Sequence, residues 1–561
     1  MLNRSYITCL LALTLVFSPL GFANTVSGTN GVVTSRSQIA SDVGVEILRQ
    51  GGNAIDAAVA VGFALAVTHP SAGNIGGGGF MVIKLDDGTV VTQDHREKAP
   101  AAAFADMFLD TAGNVDRRKS LYSAQAAGVP GSVAGMLDAL ERYGSMTRQQ
   151  VMAPAITLAE QGFPLTFDMA SDFARVSDSM SGYPASTAIF TNDGEPWQAG
   201  DLWVQSDLAE SLRRISDQGR DGFYRGRTAD LLVAEMRRLG GLITHEDLQD
   251  YDVQWREPIS GSYRGYDIWS MPPPSSGGAL VVQMLNMLEP YDLGDLGWGS
   301  ADTIHLMVEA QRRAYADRAE HMGDPDFYPV PLAMLTSKDY AQYRFSDFDP
   351  QQASDSEDIG AGTWPAESTE TTHYSVMDKD GIAVSVTTTL NLGYGNRIVV
   401  PGAGFLLNNE MDDFSAKPGA PNAYGLLGDE ANKIEPGKRM LSSMTPTIVT
   451  RDGETVLVTG SPGGSTIINT VFQVILNTLD HNMSIEQAVA SPRIHHQWQP
   501  DIVRYEPNAF VDGALEELER MGHTEMRPGG YGIGDANSIL VRDGVMHGTS
   551  DPRNDGGASA Y

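Results

Sequence analysis

Thr371-Thr372-His373-Tyr374-Ser375-Val376-Met377, followed by Asp378-Lys379-Asp380-Gly381 and then Ile382 to Leu390, reads as two strands joined by a tight polar turn. What precedes it is different in kind. Residues 347–370 hold Gln351-Gln352, several acidic side chains, Gly360, Gly362 and Pro365, with little to fill a core, and are expected to be exposed and mobile. A hydroxyl residue thus stands where a tether meets a buried hairpin. On these residues two readings stay open: Thr371-Thr372 starts an exposed edge strand, or the bond from Glu370 to Thr371 is cut and Thr371 becomes a new N-terminus.

The second reading carries chemistry. A free α-amine titrates near ~8 while a hydroxyl is inert near neutrality, so a terminal threonine supplies nucleophile and base together. In the uncut chain the same Oγ can attack its own preceding carbonyl, giving an ester that water opens. Inspection alone does not single out this threonine among the others.

Composition narrows the classes. The chain has 561 residues, 42% hydrophobic and 20% charged, an ordinary globular profile with room for several folding units or one large α/β body. Its 39 Lys and Arg against 71 Asp and Glu give a net charge of -32, a field that repels phosphate backbones and anionic membranes. Nucleic acid is therefore not an expected partner. Arg4, the apolar run of residues 7–17 and the ending Ser18-Pro19-Leu20-Gly21-Phe22-Ala23 read as a signal peptide over residues 1–23, and hence a periplasmic or secreted protein. No later stretch offers the ~18 uninterrupted apolar residues of a spanning helix, so stable membrane insertion is not expected. The one cysteine, Cys9, lies in the leader, which excludes disulfides, thiolate catalysis and Cys-ligated metals from the mature chain.

Elsewhere the pattern is α/β. A helix is expected over residues 39–50, and Asn53 caps a second that runs to Val67. The glycine run Gly76-Gly77-Gly78-Gly79 leads into a hairpin of residues 80–85 and 90–92. Residues 132–247 read as mostly helical. A short strand lies around residues 263–269, with helices over 279–288 and 303–318 after it. Strands near 447–449 and 455–459, a glycine turn at 461–465, a helix ending at Leu479 and a final strand at 538–542 complete the chain.

Thr371-Thr372-His373-Tyr374-Ser375 resembles the start of the small subunit of gamma-glutamyltranspeptidases, members of the N-terminal-nucleophile hydrolase superfamily. The resemblance extends through Thr68-His69-Pro70-Ser71-Ala72-Gly73-Asn74, Arg96-Glu97-Lys98-Ala99-Pro100, residues 271–278, Asn408-Asn409-Glu410-Met411-Asp412-Asp413-Phe414, Leu441-Ser442-Ser443-Met444 and Gly460-Ser461-Pro462-Gly463-Gly464-Ser465. It implies a four-layer α-β-β-α sandwich built from two autocleaved pieces, a large subunit of residues 24–370 and a small one of 371–561, held together as a heterodimer. It also implies transfer of the γ-glutamyl group of glutathione or related amides, through an ester on Thr371, to water or to amino acid or dipeptide acceptors. No metal or organic cofactor is called for. A glutaryl or cephalosporin side-chain acylase with the same nucleophile is the alternative.

The resemblance also implies roles. Arg96, with Ser442 and Ser443, is similar to the family's carboxylate-binding set, though by itself Arg96 could as well pair with Glu97 or Asp94. Asp413, Glu410 and Asn391 are expected to receive the substrate ammonium; some members carry glutamine where Glu410 stands. Gly463 and Gly464 resemble the oxyanion-hole glycines, whose lack of Cβ permits close approach. Thr389 looks like the residue that orients the nucleophile, and Tyr424 like the tyrosine of a lid loop. His495-His496 are adjacent, so on a regular element they point apart and make a poor metal pair.

Overall fold

The computed structural model describes residues 24–359, 371–417, 419–529 and 532–561. The proposed leader and the Glu370 side of the proposed cleavage bond lie outside the described residues.

Strand Thr372–Asp378 pairs antiparallel with Ala383–Thr389, with Thr372 opposite Thr388 and Ser375 opposite Ser385. Its other side pairs with Gly31–Ser35, which puts it third in a seven-stranded sheet. The order is Gly557–Ala560, Gly31–Ser35, Thr372–Asp378, Ala383–Thr389, Gly78–Lys84, Val90–His95 and Gln254–Arg256. The edge-strand reading is thereby overturned, since every residue of Thr372–Asp378 is buried.

Alternation along this strand sends His373, Ser375 and Met377 to one face and Tyr374 and Val376 to the other. The first face meets a second seven-stranded sheet, ordered Asn24–Gly28, Val545–Ser550, Ser538–Arg542, Glu454–Thr459, Thr447–Arg451, Tyr266–Ser270 and Ile259–Tyr263. Val32, Val82, Met377, Ala383, Ile448, Val458, Ile539 and Met546 form the apolar filling between the sheets. Ser385 Oγ and Ser375 Oγ donate across to the Thr459 and Asn537 carbonyls at 2.9 and 2.8 Å. His373 also lies in this layer, bonded to Thr387 and Ser375, and burial pushes its imidazole down to about 3, so it stays neutral. A Cβ on Gly460 would sit 2.4 Å from that ring, which is why glycine stands there.

Helices cover both outer faces. Asn53 and Asp56 form a capping box for helix Ala54–Thr68, which is buried at every position against Tyr374, Val376, Val384 and Val386. Gly277–Leu288, Ala301–His321 and Thr466–Leu479 pack on the second sheet through Ile268, Val449, Leu457 and Leu540. This is the four-layer α-β-β-α sandwich. Strands from before and after residue 371 are interleaved in both sheets, so neither part has either complete sheet without the other.

Three local expectations need correction. The single strand around 263–269 is a hairpin, Ile259–Tyr263 and Tyr266–Ser270, turned by Arg264 and Gly265, both at positive φ. Ser538–Arg542 is not the last strand; Val545–Ser550 and Gly557–Ala560 follow and close both sheets. The first half of the tether is docked, because Asp347 pairs with Arg313, the Ser354 N–H donates to Glu309, and Ser356 is buried against Arg312. Asp347, read as solvated, is a counter-ion of the buried Arg313, and Ser356 Oγ accepts from the buried Arg312. Residues 360–370 lie outside the described residues.

Candidate active site

Thr371 immediately precedes the buried strand, on the same face as His373, and is itself buried. Register brings it opposite the end of the returning strand, where Thr389 Oγ1 lies 3.4 Å from Thr371 Oγ1. Thr389 Oγ1 accepts the Asn391 N–H at 2.8 Å, so its lone pair is engaged and its own proton is available toward Thr371.

Arg96 follows strand Val90–His95 and is fully buried. Its guanidinium pairs with Glu410 through Nη1 and with Asp413 through Nη2 at 2.6 Å, and donates to the Met440 and Leu441 carbonyls. Glu97 is farther, at 3.8 Å, and Asp94 Oδ1 accepts only the Arg96 main-chain N–H. Three buried carboxyls thus crowd one cation. Burial drives Glu410 well above the usual carboxylate range, and repulsion from Glu97 and Asp413 adds to this while Arg96 opposes it. Burial likewise lifts Glu97 to about 7. Both Glu97 oxygens and Glu410 Oε2 lack a hydrogen-bond partner among the described residues. Burial and mutual repulsion thus favour the protonated forms of Glu97 and Glu410, against the pull of Arg96.

The segment of residues 422–424 is fastened onto the same acids. Asn422 Nδ2 donates to Asp413 Oδ1 at 2.9 Å and the Ala423 N–H to Asp412 Oδ2 at 2.7 Å. Tyr424 O–H donates to the Asn391 carbonyl at 2.5 Å. The Tyr424 ring lies over Gly464, where a Cβ would come within 2.2 Å of ring carbon Cδ1. Gly463 and Gly464 have φ of +132° and +55°, and among the described residues neither of their N–H groups meets an acceptor. The Gly463 carbonyl is held by the N–H and Oγ1 of Thr466 at the start of helix Thr466–Leu479.

Arg96, Thr371, Thr389, Glu410, Asp413, Tyr424, Ser442, Ser443 and Gly464 all line one cleft. Asn391 and Gly463 stand just behind this lining, Asn391 bonded to the Asn409 carbonyl and to Tyr424. The arrangement brings a threonine hydroxyl, the Gly464 turn and a cluster of one guanidinium with two carboxyls to one cleft. Sequence reasoning missed Arg318, which also lines the cleft from helix Ala301–His321. An arginine in the alanine-rich run Tyr315-Ala316-Asp317-Arg318-Ala319 was the available signal.

One group outside the cleft has metal-ligand proximity, His305, Glu309 and His523. Glu309 is already bound by Arg312 and Arg313, and the two imidazoles hydrogen-bond each other at 2.8 Å, so the ligand atoms are engaged with protein partners. His495 and His496 are likewise engaged, with Asn469 and Asp501 respectively.

A family profile for gamma-glutamyltranspeptidase matches residues 40–561. The chain belongs to that family. The glutathione hydrolase proenzyme of Escherichia coli strain K12 is 51% identical over 531 residues, covering 94% of this chain and 91% of that protein. Among solved structures, the cephalosporin acylase of Bacillus halodurans superposes with a TM-score of 0.85 at 27% identity, covering 100% of this chain and 99% of the other. The Helicobacter pylori gamma-glutamyltranspeptidase matches with a TM-score of 0.57 at 45% identity over 64% of this chain and 97% of its own. The sandwich is thus the N-terminal-nucleophile hydrolase fold that gamma-glutamyltranspeptidases share with acylases. Family membership agrees with the gathering of the sequence-predicted residues around Thr371.

Proposed function

We propose that this chain is a self-processing gamma-glutamyltransferase and glutathione hydrolase with Thr371 as nucleophile. The observation that carries the reading is the placement of Thr371 Oγ1, 3.4 Å from Thr389 Oγ1 at the floor of a cleft whose wall is the Arg96, Glu410 and Asp413 cluster. In the precursor, Thr371 Oγ attacks the Glu370 carbonyl, and hydrolysis of the resulting ester leaves residues 24–370 and 371–561 interleaved in one core. The new α-amine then takes the Oγ proton as Thr371 attacks the γ-carbonyl of the substrate. The developing oxyanion is directed to the N–H groups of Gly463 and Gly464, each such donor being worth about 3 kcal/mol. The amine leaves protonated, cysteinylglycine in the case of glutathione. Water releases glutamate from the ester, or an amino acid or dipeptide takes the acyl group.

The zwitterionic head is read by charge. Arg96, Ser442 and Ser443 face the α-carboxylate, and Glu410, Asp413 and Asn391 the α-ammonium. Tyr424 covers the pocket and excludes bulk water during acylation. The leader of residues 1–23 would export the protein to the periplasm or medium. No helix among the described residues is long and apolar enough to cross a membrane.

Intact mass and N-terminal sequencing of purified protein, with release of glutamate from glutathione in the presence and absence of glycylglycine, test this. Active protein should contain a chain beginning at Thr371; activity in a wholly uncut chain refutes the mechanism. A second reading, side-chain acylase, draws support from the fold match to a cephalosporin acylase. It predicts faster cleavage of a glutaryl than of a γ-glutamyl anilide. The buried acids beside Arg96 favour the γ-glutamyl substrate, because a glutaryl group has no ammonium to offer them.

A further inference from the structure

Arg96 is not the only buried cation at the cleft. Arg318 lies in the last turn of helix Ala301–His321, is buried, and lines the same walls as Thr371 and Ser443. Its partners are of another kind. Where Arg96 is engaged by two carboxylates, Arg318 Nε donates to Ser276 Oγ at 2.9 Å and Nη2 to Ser443 Oγ at 3.3 Å. Among the described residues no carboxylate lies within ion-pair distance of it. Burial pulls its guanidinium down to about 10, against the weaker opposing influence of Tyr315 and Asp413. A buried charge without a counter-ion costs several kcal/mol, and a bound anion relieves that cost.

The chain braces this charge against the serine pair. Ser276 Oγ, besides accepting from Arg318, donates to the Ser442 carbonyl at 2.8 Å. The Ser442 N–H donates to the Pro274 carbonyl at 2.8 Å, and Ser275 Oγ to the Met444 carbonyl at 2.6 Å. Residues 272–278, residues 442–444 and Arg318 are therefore tied into one hydrogen-bonded unit that fixes where the Ser443 hydroxyl sits relative to the guanidinium.

We infer that Arg318 is a second cationic determinant of specificity, which draws a substrate α-carboxylate to the Ser442-Ser443 side of the cleft and fixes the Ser443 hydroxyl that bonds it. The inference rests on the reading of the cleft as a γ-glutamyl site. Arg96 and Arg318 then meet the α-carboxylate together, Arg96 also holding Glu410 and Asp413 in place, and Arg318 supplies positive charge that no carboxylate among the described residues pairs with.

The test compares L-γ-glutamyl-p-nitroanilide with 4-aminobutyryl-p-nitroanilide, which keeps the amine but lacks the α-carboxylate. Arg318→Gln should raise KM for the γ-glutamyl compound at least about tenfold. It should change kcat/KM for the 4-aminobutyryl compound less than about twofold, and Arg318→Lys should recover part of the loss. Equal losses on both substrates, or an unchanged γ-glutamyl KM, overturn the inference. Should circular dichroism find the Arg318 variants unfolded, Ser276→Ala, which removes the brace but keeps the charge, is put through the same comparison: a selective rise in the γ-glutamyl KM supports the inference, and equal losses or no change overturn it. The wild type is assayed first. If it fails to cleave the γ-glutamyl compound, the functional reading fails; if it cleaves and the variants lose both substrates alike, only the role of Arg318 fails.

Discussion

Thr389 Oγ1 stands 3.4 Å from Thr371 Oγ1 and accepts the Asn391 N–H at 2.8 Å, so one hydroxyl links the proposed nucleophile to the segment that Tyr424 closes. Asn391, in turn, receives the Tyr424 O–H on its carbonyl, which makes Thr371, Thr389, Asn391 and Tyr424 a single hydrogen-bonded chain.

Thr389→Ala breaks that chain at its centre. The loss should be about 1–3 kcal/mol of transition-state stabilisation, roughly 5- to 150-fold in kcat, with KM little changed. Steady-state kinetics with a γ-glutamyl anilide provide the check, and Thr389→Ser should recover most of the rate. A KM effect without a kcat effect would place Thr389 in substrate binding instead.

Glu410 links the cluster to pH. Its folded pKa lies above the ordinary 4.5, so the folded state binds more protons than the unfolded one, and stability falls as pH rises from that value toward the folded pKa. Glu97, lifted to about 7, acts with the same sign. Glu410→Gln removes this loss. Thermal melts should give variant and wild type similar Tm near pH 4, with a gap in favour of the variant that widens to pH 8. A wild type more stable than the variant at pH 8 would mean that Glu410 is ionised and that its pairing with Arg96 outweighs burial.

Gly464→Ala tests the contact between turn and lid. The new Cβ would meet the Tyr424 ring at 2.2 Å, and φ of +55° adds about 1–2 kcal/mol of backbone strain for a non-glycine residue. Activity should fall by roughly 100-fold or more through loss of the donor geometry. Limited proteolysis should also cut faster near residues 415–430. Unchanged kinetics and unchanged proteolysis would remove Gly464 from the site.

Asp413 holds Arg96 through one oxygen and Asn422 through the other. Asp413→Asn should raise KM for a γ-glutamyl anilide by about tenfold or more, since the ammonium loses its charged acceptor. The KM of a glutaryl anilide, which has no ammonium, should rise far less. Equal rises would assign Asp413 to general pocket architecture.

Much of the site was legible before folding because its residues sit in short, ordered motifs. Thr371 stood at a composition boundary, Gly463-Gly464 at a strand-to-helix turn, and Glu410 and Asp413 three apart in one run. Arg318 was not legible in this way. Its meaning depends on Ser276 and Ser443, which are 42 and 125 residues away in sequence, and on the absence of a carboxylate that only packing can establish. The docked residues 347–359 misled for a related reason. Acidic composition signals solvation unless a buried partner exists, and Arg312 and Arg313 provide one from a helix whose own pattern gives no notice of it.

The sequence by itself determined the hairpin of Thr372–Asp378 and its polar turn, the caps and turns around it, and the chemical types at the site, because these depend on residues within a few positions of one another. Tertiary structure alone decided that this strand lies inside a sheet, that three carboxyls share the guanidinium of Arg96, and that Arg318 has no counter-ion among the described residues. Burial and charge balance are properties of neighbours in space, and the neighbours here come from chain segments hundreds of residues apart.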